Sequence, residues 1–370
     1  MKQDTIINVG LIGFGNAGRL YHAPFLNSVP GFRLAKVRTT RAVVGQALNA
    51  LPAHTQIVTD NDAILQDPSI DLVVVAAPNH LHFPLAKAAL EAGKHVVVDK
   101  PFTLSTAEAD ELIAVAGRSG RLLTVYHNRR LTSDFRTLKK VCASGLLGRI
   151  VEYESHFDRF RNTIRHDSWK EEDMPGAGIF YDMGPHLIDQ TLQLFGTPLE
   201  LRADLRVQRT EGRVIDSFEV VLLYEGLKAT LKGGMLVKDP FPQFAVFGEQ
   251  GSFVKYGRDM QEDALRDGEI PNARPDWGTE PESFWGRLIT HHQGLELTAT
   301  VKSEQGDYSV FYRNLHRAIT AGAELLVQPQ EARDVIYLIE LAEQSSREKR
   351  TLPVQPRGAA QPATPGAPAA

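Results

Sequence analysis

A lysine, an aspartate and a histidine in this 370-residue chain have the types and settings needed to move a proton. Lys100 stands in Asp99-Lys100-Pro101, directly after the apolar run 96–98. At the end of a buried strand, with cations near it, a lysine has its pKa pulled down toward the range where it donates or accepts a proton near neutral pH. Asp182 and His186 lie four apart in Tyr-Asp-Met-Gly-Pro-His-Leu-Ile-Asp, 181–189. On a helix that spacing puts both on one face, where the carboxylate orients and charge-stabilises the imidazole. Pro185 limits such a helix, because proline fits the first turn and not the interior. A third stretch, Pro78-Asn79-His80-Leu81-His82, also follows an apolar run. His80 and His82 bring no third ligand at suitable spacing, so no metal site is expected.

A ligand for this chemistry is suggested near the N-terminus. The apolar run 9–12 leads into Gly13-x-Gly15-x-x-Gly18, and a helix can start at Arg19. Gly13 allows a tight turn, Gly15 lets backbone approach a pyrophosphate, and Gly18 lets helix lie against strand. The helix N-terminus, with Asn16 and Ala17, offers N–H groups to the phosphates. The end of the second strand chooses the dinucleotide. A carboxylate there holds the 2′-hydroxyl of NAD, whereas basic and small polar groups accept the 2′-phosphate of NADP. Residues 5–59 contain no Asp or Glu, but do contain Arg19, Arg33, Lys36, Arg38 and Arg41. Thr39, Thr40 and Arg41 suit a 2′-phosphate. NADP is therefore the preferred cofactor, with NAD as the alternative. Pro78, Asn79, His82, Asp99 and Lys100 are expected to complete the cofactor site, because open α/β sheets bind ligands at the C-terminal ends of their strands.

The elements that must position these residues alternate through the first half. Strands are expected over 6–12, 32–38, 57–58, 70–77, 95–98 and 122–126, and helices over 19–28, 41–51, 61–65, 83–92 and 105–119, the last capped by Ser105 or Thr106. Such alternation implies right-handed βαβ crossovers and a doubly wound parallel sheet, a Rossmann fold. After about residue 130 the rhythm changes. A helix over 135–144 and a long strand over 149–160 precede a helix within 182–195. Several strands separated by turn signals follow over 201–256, a large open and mostly antiparallel sheet. The polar stretch 258–295 reads as a long irregular loop containing His291-His292. Helices are expected over 309–321 and 331–349. The division is 1–127 for dinucleotide, 128–355 for substrate and assembly, and 356–370, rich in Gly, Ala and Pro, as a disordered tail.

Composition narrows the class. The chain is 42% hydrophobic and 23% charged with a net charge of −4, so no basic excess points to nucleic acid or an anionic membrane. No apolar stretch approaches the length that spans a bilayer. Cys142 stands alone, so no intrachain disulfide can form, and a reducing cytoplasmic setting is expected.

The glycine loop, the Pro-Asn-His-x-His segment, the Lys-Pro segment and the Asp-x-x-x-His segment, in that order, resemble the Gfo/Idh/MocA oxidoreductases. Within that family, Gly13-Phe-Gly-Asn-Ala-Gly-Arg-Leu-Tyr-His-Ala-Pro-Phe25 and Tyr126-His-Asn-Arg-Arg130 are similar to the NADP-dependent scyllo-inositol dehydrogenase-like members. The resemblance covers about residues 7–352. It implies an N-terminal Rossmann domain and a C-terminal α/β domain that binds substrate on one sheet face and builds homodimers or homotetramers with the other. It implies that His186 takes the hydroxyl proton, that Lys100 hydrogen-bonds the reacting oxygen, and that Asp182 orients substrate. Asn128 and Trp169 are expected to line the substrate pocket. The family usually has Glu before the lysine; here it is Asp99, one methylene shorter.

The expected function is oxidoreduction of a secondary alcohol and a ketone on a cyclitol, sugar or polyol, with a nicotinamide cofactor and no nucleic-acid or membrane partner. Two alternatives stand beside it: a non-catalytic NAD(P)-sensing or scaffold protein on the same fold, and a reductase of an imine or enal.

Overall fold

The structure is a computed structural model and describes residues 5–40, 42–43 and 51–355. Arg41, most of the helix expected over 41–51, and the tail 356–370 lie outside the described residues.

The first strands are built from apolar runs. Leu72–Val75 (β4) is buried at every position, and His95–Val98 (β5) at its three valines, as strands covered on both faces must be. With Ile7–Ile12 (β1), Phe32–Arg38 (β2), Gln56–Val58 (β3) and Leu123–Val125 (β6), they form an all-parallel sheet in the order β3-β2-β1-β4-β5-β6. The order reverses between β1 and β4, the point where open sheets of this type bind ligands. Ala23–Ser28 (α1), Asp62–Leu65 (α2), His82–Glu91 (α3) and Thr106–Ser119 (α4) lie between the strands. Ser105 caps α4 by accepting from the Glu108 N–H, as expected for that serine. The first helix departs from expectation. Ala17–His22 winds as a π-helical turn before α1 begins.

The second sheet follows Ser133–Ala143 (α5). Its strands are Ile150–Asp158 (β7), Glu200–Arg206 (β8), Ser217–Tyr224 (β9), Leu227–Gly234 (β10), Phe244–Gly248 (β11) and Gly251–Lys255 (β12). Gly286–His292 (β13), Leu295–Val301 (β14) and Leu352–Pro353 (β15) complete it among the described residues. The order is β14-β13-β12-β11-β7-β10-β9-β8-β15, with β7 and β10 parallel and the other neighbours antiparallel. Gly178–Phe195 (α6) packs on this sheet.

The expected irregular loop over 258–295 is incorrect. It contains Met260–Arg266 (α7), capped by Asp259, and all of β13, and it reaches β14. In β13, Gly286, Leu288 and Thr290 are buried while Arg287 is exposed. That two-residue period is masked in the sequence by Gly and Thr at buried positions. His291 and His292 are therefore exposed strand residues, not loop residues.

Ser309–Ala321 (α8) and Pro329–Glu348 (α9) return to the first sheet. Thr124 on β6 donates to the Val327 carbonyl, and Tyr312 on α8 packs edge-on against Phe32. α9 also packs on β8, where the Ala203 N–H donates to Ser345, so this helix bridges the two sheets.

Candidate active site

The glycine loop takes the conformation its residues require. Gly13 has φ +101°, and a Cβ there would lie 2.3 Å from the Ala76 carbonyl oxygen. A Cβ on Gly18 would come within 2.1 Å of the Gly13 oxygen, whereas one on Gly15 would meet nothing within 4 Å. Gly15 therefore faces open space where a phosphate needs close approach, beside Asn16 and Ala17 at the start of the π turn. These residues fit a dinucleotide pyrophosphate. At the end of β2, Thr39 is buried and Thr40 exposed, and the buried Nε of Arg38 has no hydrogen-bond partner.

The strand ends place the remaining residues. Asn79 donates to the Gly176 carbonyl at 2.8 Å and so ties the β4 end to the segment leading into α6. His82 is buried, with its ring nitrogens 2.7 Å from the Pro101 oxygen and 2.9 Å from the Ala77 oxygen. Burial pushes its pKa down while Asp99 and the two carbonyls oppose this, and its ring contacts brace the loops after β4 and β5. Asp99 accepts the Lys100 N–H at 2.9 Å.

Lys100 and Asp182 meet across 82 residues of sequence. The Lys100 Nζ donates to the Asp182 carbonyl at 2.7 Å and to its Oδ1 at 3.2 Å. Lys170 donates to the same Oδ1 at 2.7 Å, and the Arg159 guanidinium stands 3.9 Å from Oδ2. Burial alone would raise the Asp182 pKa, but Lys170, Lys100 and Arg159 outweigh it and hold the carboxyl well below its usual range. Burial lowers the Lys100 pKa, Lys170 adds to this, and Asp182 and Asp99 oppose it.

His186 is 5% exposed, and its Nδ1 is buried without a hydrogen-bond partner. Burial, then the charges of Lys100 and Arg129, drive its pKa well below the histidine norm, so the ring is neutral. α6 is helical through Pro185, which sits in its interior and not its first turn. Asp182 and His186 therefore share a helix face as their spacing predicts. The hydrogen bonds of Asp182, however, go to Lys100 and Lys170 and not to the imidazole. Asn128 is buried at the start of a 3-10 turn, and Trp169 sits beside Lys170, whose ammonium lies 5.9 Å from the indole.

The sequence reading missed Lys170 and Arg159. No spacing rule links them to Asp182; only Trp169, one residue away, marked the neighbourhood. No group of three or more His, Cys, Asp or Glu side chains among the described residues is placed to hold a metal. No described helix is long and apolar enough to cross a membrane.

A doubly wound sheet with a glycine loop at its switch point, facing a lysine, an aspartate and a neutral histidine, defines a nicotinamide-linked oxidoreductase. Residues 7–127 match the family model described as "Oxidoreductase family, NAD-binding Rossmann fold", and residues 139–355 match its "C-terminal alpha/beta domain". The chain belongs to the Gfo/Idh/MocA oxidoreductase family. It is 42% identical over 348 residues to the uncharacterised oxidoreductase YdgJ of Escherichia coli, covering 94% of this chain and 98% of that one. It is 38% identical over 351 residues to the scyllo-inositol 2-dehydrogenase (NADP(+)) IolW of Bacillus subtilis, covering 95% and 96%. The solved structure of the oxidoreductase yvaA from Bacillus subtilis superposes with a TM-score of 0.91 at 37% identity, over 96% of this chain and 100% of that one.

Proposed function

We propose that this protein is an NADP-preferring dehydrogenase or reductase that interconverts a secondary alcohol and a ketone on a cyclitol, sugar or sugar-derived polyol. The observation that carries this reading is the contact of Lys100, just past the end of β5, with Asp182, and a neutral His186 one turn further along the same helix. The printed activity of IolW, similar over nearly its whole length, supports the substrate class. Residues 1–127 hold the dinucleotide and 128–355 the substrate. Gly13, Gly15, Asn16, Ala17 and Gly18 hold the pyrophosphate, Thr39, Thr40 and Arg41 the 2′-phosphate, and Pro78, Asn79, His82, Asp99 and Lys100 flank the nicotinamide end. A bound nicotinamide supplies the hydride acceptor or donor. His186 takes the hydroxyl proton on its free nitrogen lone pair. Lys100 hydrogen-bonds the reacting oxygen and is itself aimed by Asp182. Asn128 and Trp169 line the pocket, where polar groups select hydroxyl-rich substrates because a mismatched ligand leaves them unpaired.

Calorimetric titration tests the cofactor half. NADP+ is expected to bind more tightly than NAD+ by about 1–3 kcal/mol, from charge-assisted contacts to the 2′-phosphate. Arg41→Ala is expected to erase the difference. Equal binding of the two cofactors removes the NADP assignment. NADPH oxidation with a panel of ketocyclitols and keto-sugars tests the chemistry. Tight NADPH binding without turnover on any of them turns the reading toward a sensing protein or an imine or enal reductase.

We further propose a homodimer or homotetramer through the second sheet. Phe247 on β11 is an exposed apolar side chain on one face of that sheet and lies in register, through Ser252, with the half-buried Ile289 on β13, an apolar face that suits a partner copy. Light scattering that returns a mass near the chain's own 40.9 kDa rejects it.

A further inference from the structure

One buried histidine has no part in the chemistry above, yet it faces the carboxylate that accepts the backbone N–H of a residue that does. His22 closes the π-helical turn that follows the glycine loop, and its side chain is fully buried. Such turns insert an extra residue into a helix and cluster at functional sites. The His22 Nδ1 lies 2.6 Å from the Tyr312 hydroxyl on α8, and its ring packs on Tyr126 with centroids 4.6 Å apart. The Nε2 is buried without a hydrogen-bond partner and faces the Asp99 Oδ1 at 3.8 Å. That same Oδ1 accepts the Lys100 N–H at 2.9 Å.

The tautomer follows from these contacts. Were the proton on Nδ1, the Nε2 lone pair would point at a carboxylate with no intervening hydrogen, a repulsive arrangement in a buried setting. With the proton on Nε2, an N–H dipole points at the carboxylate and Nδ1 accepts from the phenol. Burial keeps the Tyr312 phenol protonated, its pKa far above the usual value, so it has that hydrogen to give. Burial would raise the Asp99 pKa, but His22, followed by Lys100 and His82, keeps it low. The contacts then run from Tyr312 to His22 by a hydrogen bond, from His22 to Asp99 as a charge–dipole approach at 3.8 Å, from Asp99 to the Lys100 N–H, and from the Lys100 ammonium to Asp182.

We infer that His22 is a positioning residue: with its tautomer set by Tyr312, its Nε2–H dipole faces the Asp99 carboxylate across 3.8 Å and steadies it electrostatically, and Asp99 in turn fixes the backbone from which Lys100 reaches Asp182. It ties the turn behind the pyrophosphate loop to the proton-handling lysine. The inference rests on the proposed roles of Lys100 and His186.

Two measurements test it together. Ring-15N NMR of the wild-type protein, with the His22 signals assigned by their loss in His22→Gln, is expected to show a protonated Nε2 and a bare Nδ1. Tyr312→Phe is expected to mix the tautomers. A protonated Nδ1 in the wild type overturns the inference whatever the activity. The second measurement uses the amide reach of two variants. The glutamine amide occupies the Nε2 position and can face Asp99; the asparagine amide occupies the Nδ1 position and can face only Tyr312. At saturating NADPH, His22→Asn is expected to lose about ten- to a hundredfold in kcat with little change in KM, the scale set by ångström-sized misplacement of a catalytic group. His22→Gln is expected to restore most of it. If His22→Asn matches wild type, or His22→Gln falls as far as His22→Asn, His22 serves packing alone. A wild type that shows the expected tautomer but turns over no keto-polyol leaves the positioning contact standing and removes the proposed reaction.

Discussion

His186→Gln is expected to lower kcat for alcohol oxidation by about 10²–10⁴-fold, the usual contribution of a positioned general base, with NADP+ affinity retained. The imidazole is neutral because it is buried and because Lys100 and Arg129 bring positive charge near it. This fixes the sign of the pH dependence. A base whose pKa is depressed keeps its free lone pair to lower pH. The acid limb of kcat/KM for oxidation, which reports the free enzyme, is therefore expected below the ordinary histidine value of about 6.5. Lys100→Met is expected to cost a comparable factor in kcat. It also removes a cation near His186, which moves the acid limb upward toward the ordinary value. Stopped-flow hydride transfer against pH for the three proteins checks both points. An unchanged limb in Lys100→Met would falsify the electrostatic link between the two residues. A His186→Gln rate within threefold of wild type would remove His186 from the chemistry.

The second large effect lies behind the site. Arg130 makes a two-pronged contact with Asp189 on α6, Nη2 to Oδ1 at 2.6 Å and Nε to Oδ2 at 2.9 Å, and its Nη1 reaches Glu331 on α9 at 2.9 Å. The Arg130 and Asp189 side chains are 6% and 3% exposed. Arg130→Met leaves a buried carboxylate without its partner, and the expected loss is about 3–5 kcal/mol of stability. Burial would raise the Asp189 pKa, but Arg130 and then His127 hold it below the usual range. The wild-type pair therefore stabilises the fold above the ordinary aspartate pKa of about 4 and is lost as pH falls through the lower folded value. In Arg130→Met, burial prevails and Asp189 takes up a proton at higher pH. The gap between variant and wild type should be widest near pH 7 and narrow toward acid. Urea denaturation at several pH values measures it. The double variant Arg130→Met, Asp189→Leu should recover much of the loss, because an apolar pair leaves no stranded charge. A gap that does not vary with pH would mean that lost packing of the arginine stem, and not the stranded carboxylate, sets the cost.

The positions of these residues along the chain explain what was readable in advance. Asp182 and His186 were legible as a helical pair because their relation is local, four residues on one helix. The helix continues through Pro185, which the local rule disfavours, because packing of α6 against the second sheet outweighs the proline. The stretch 258–295 was misread for the opposite reason. Its strand β13 lies near the sheet edge between β12 and β14, and its buried positions include Gly286 and Thr290, so its apolar signal is thin until neighbouring strands supply the pairing.

By itself, the sequence determined the six parallel strands from their apolar stretches alternating with helical ones, the glycine loop from its steric demands, and the candidate lysine, aspartate and histidine from their settings. These are properties of short segments, in which a few side chains and backbone angles decide. Only the tertiary structure decided which charges meet. Lys170 and Arg159 converge on Asp182, Arg130 closes on Asp189, and His22 faces Asp99 across the first sheet. Each contact joins residues on separate elements, and its electrostatics depend on burial that no local pattern encodes. The same sequence of titratable groups would have ordinary pKa values in water; the fold keeps the His186 imidazole neutral and Asp182 an anion by removing solvent and fixing their neighbours.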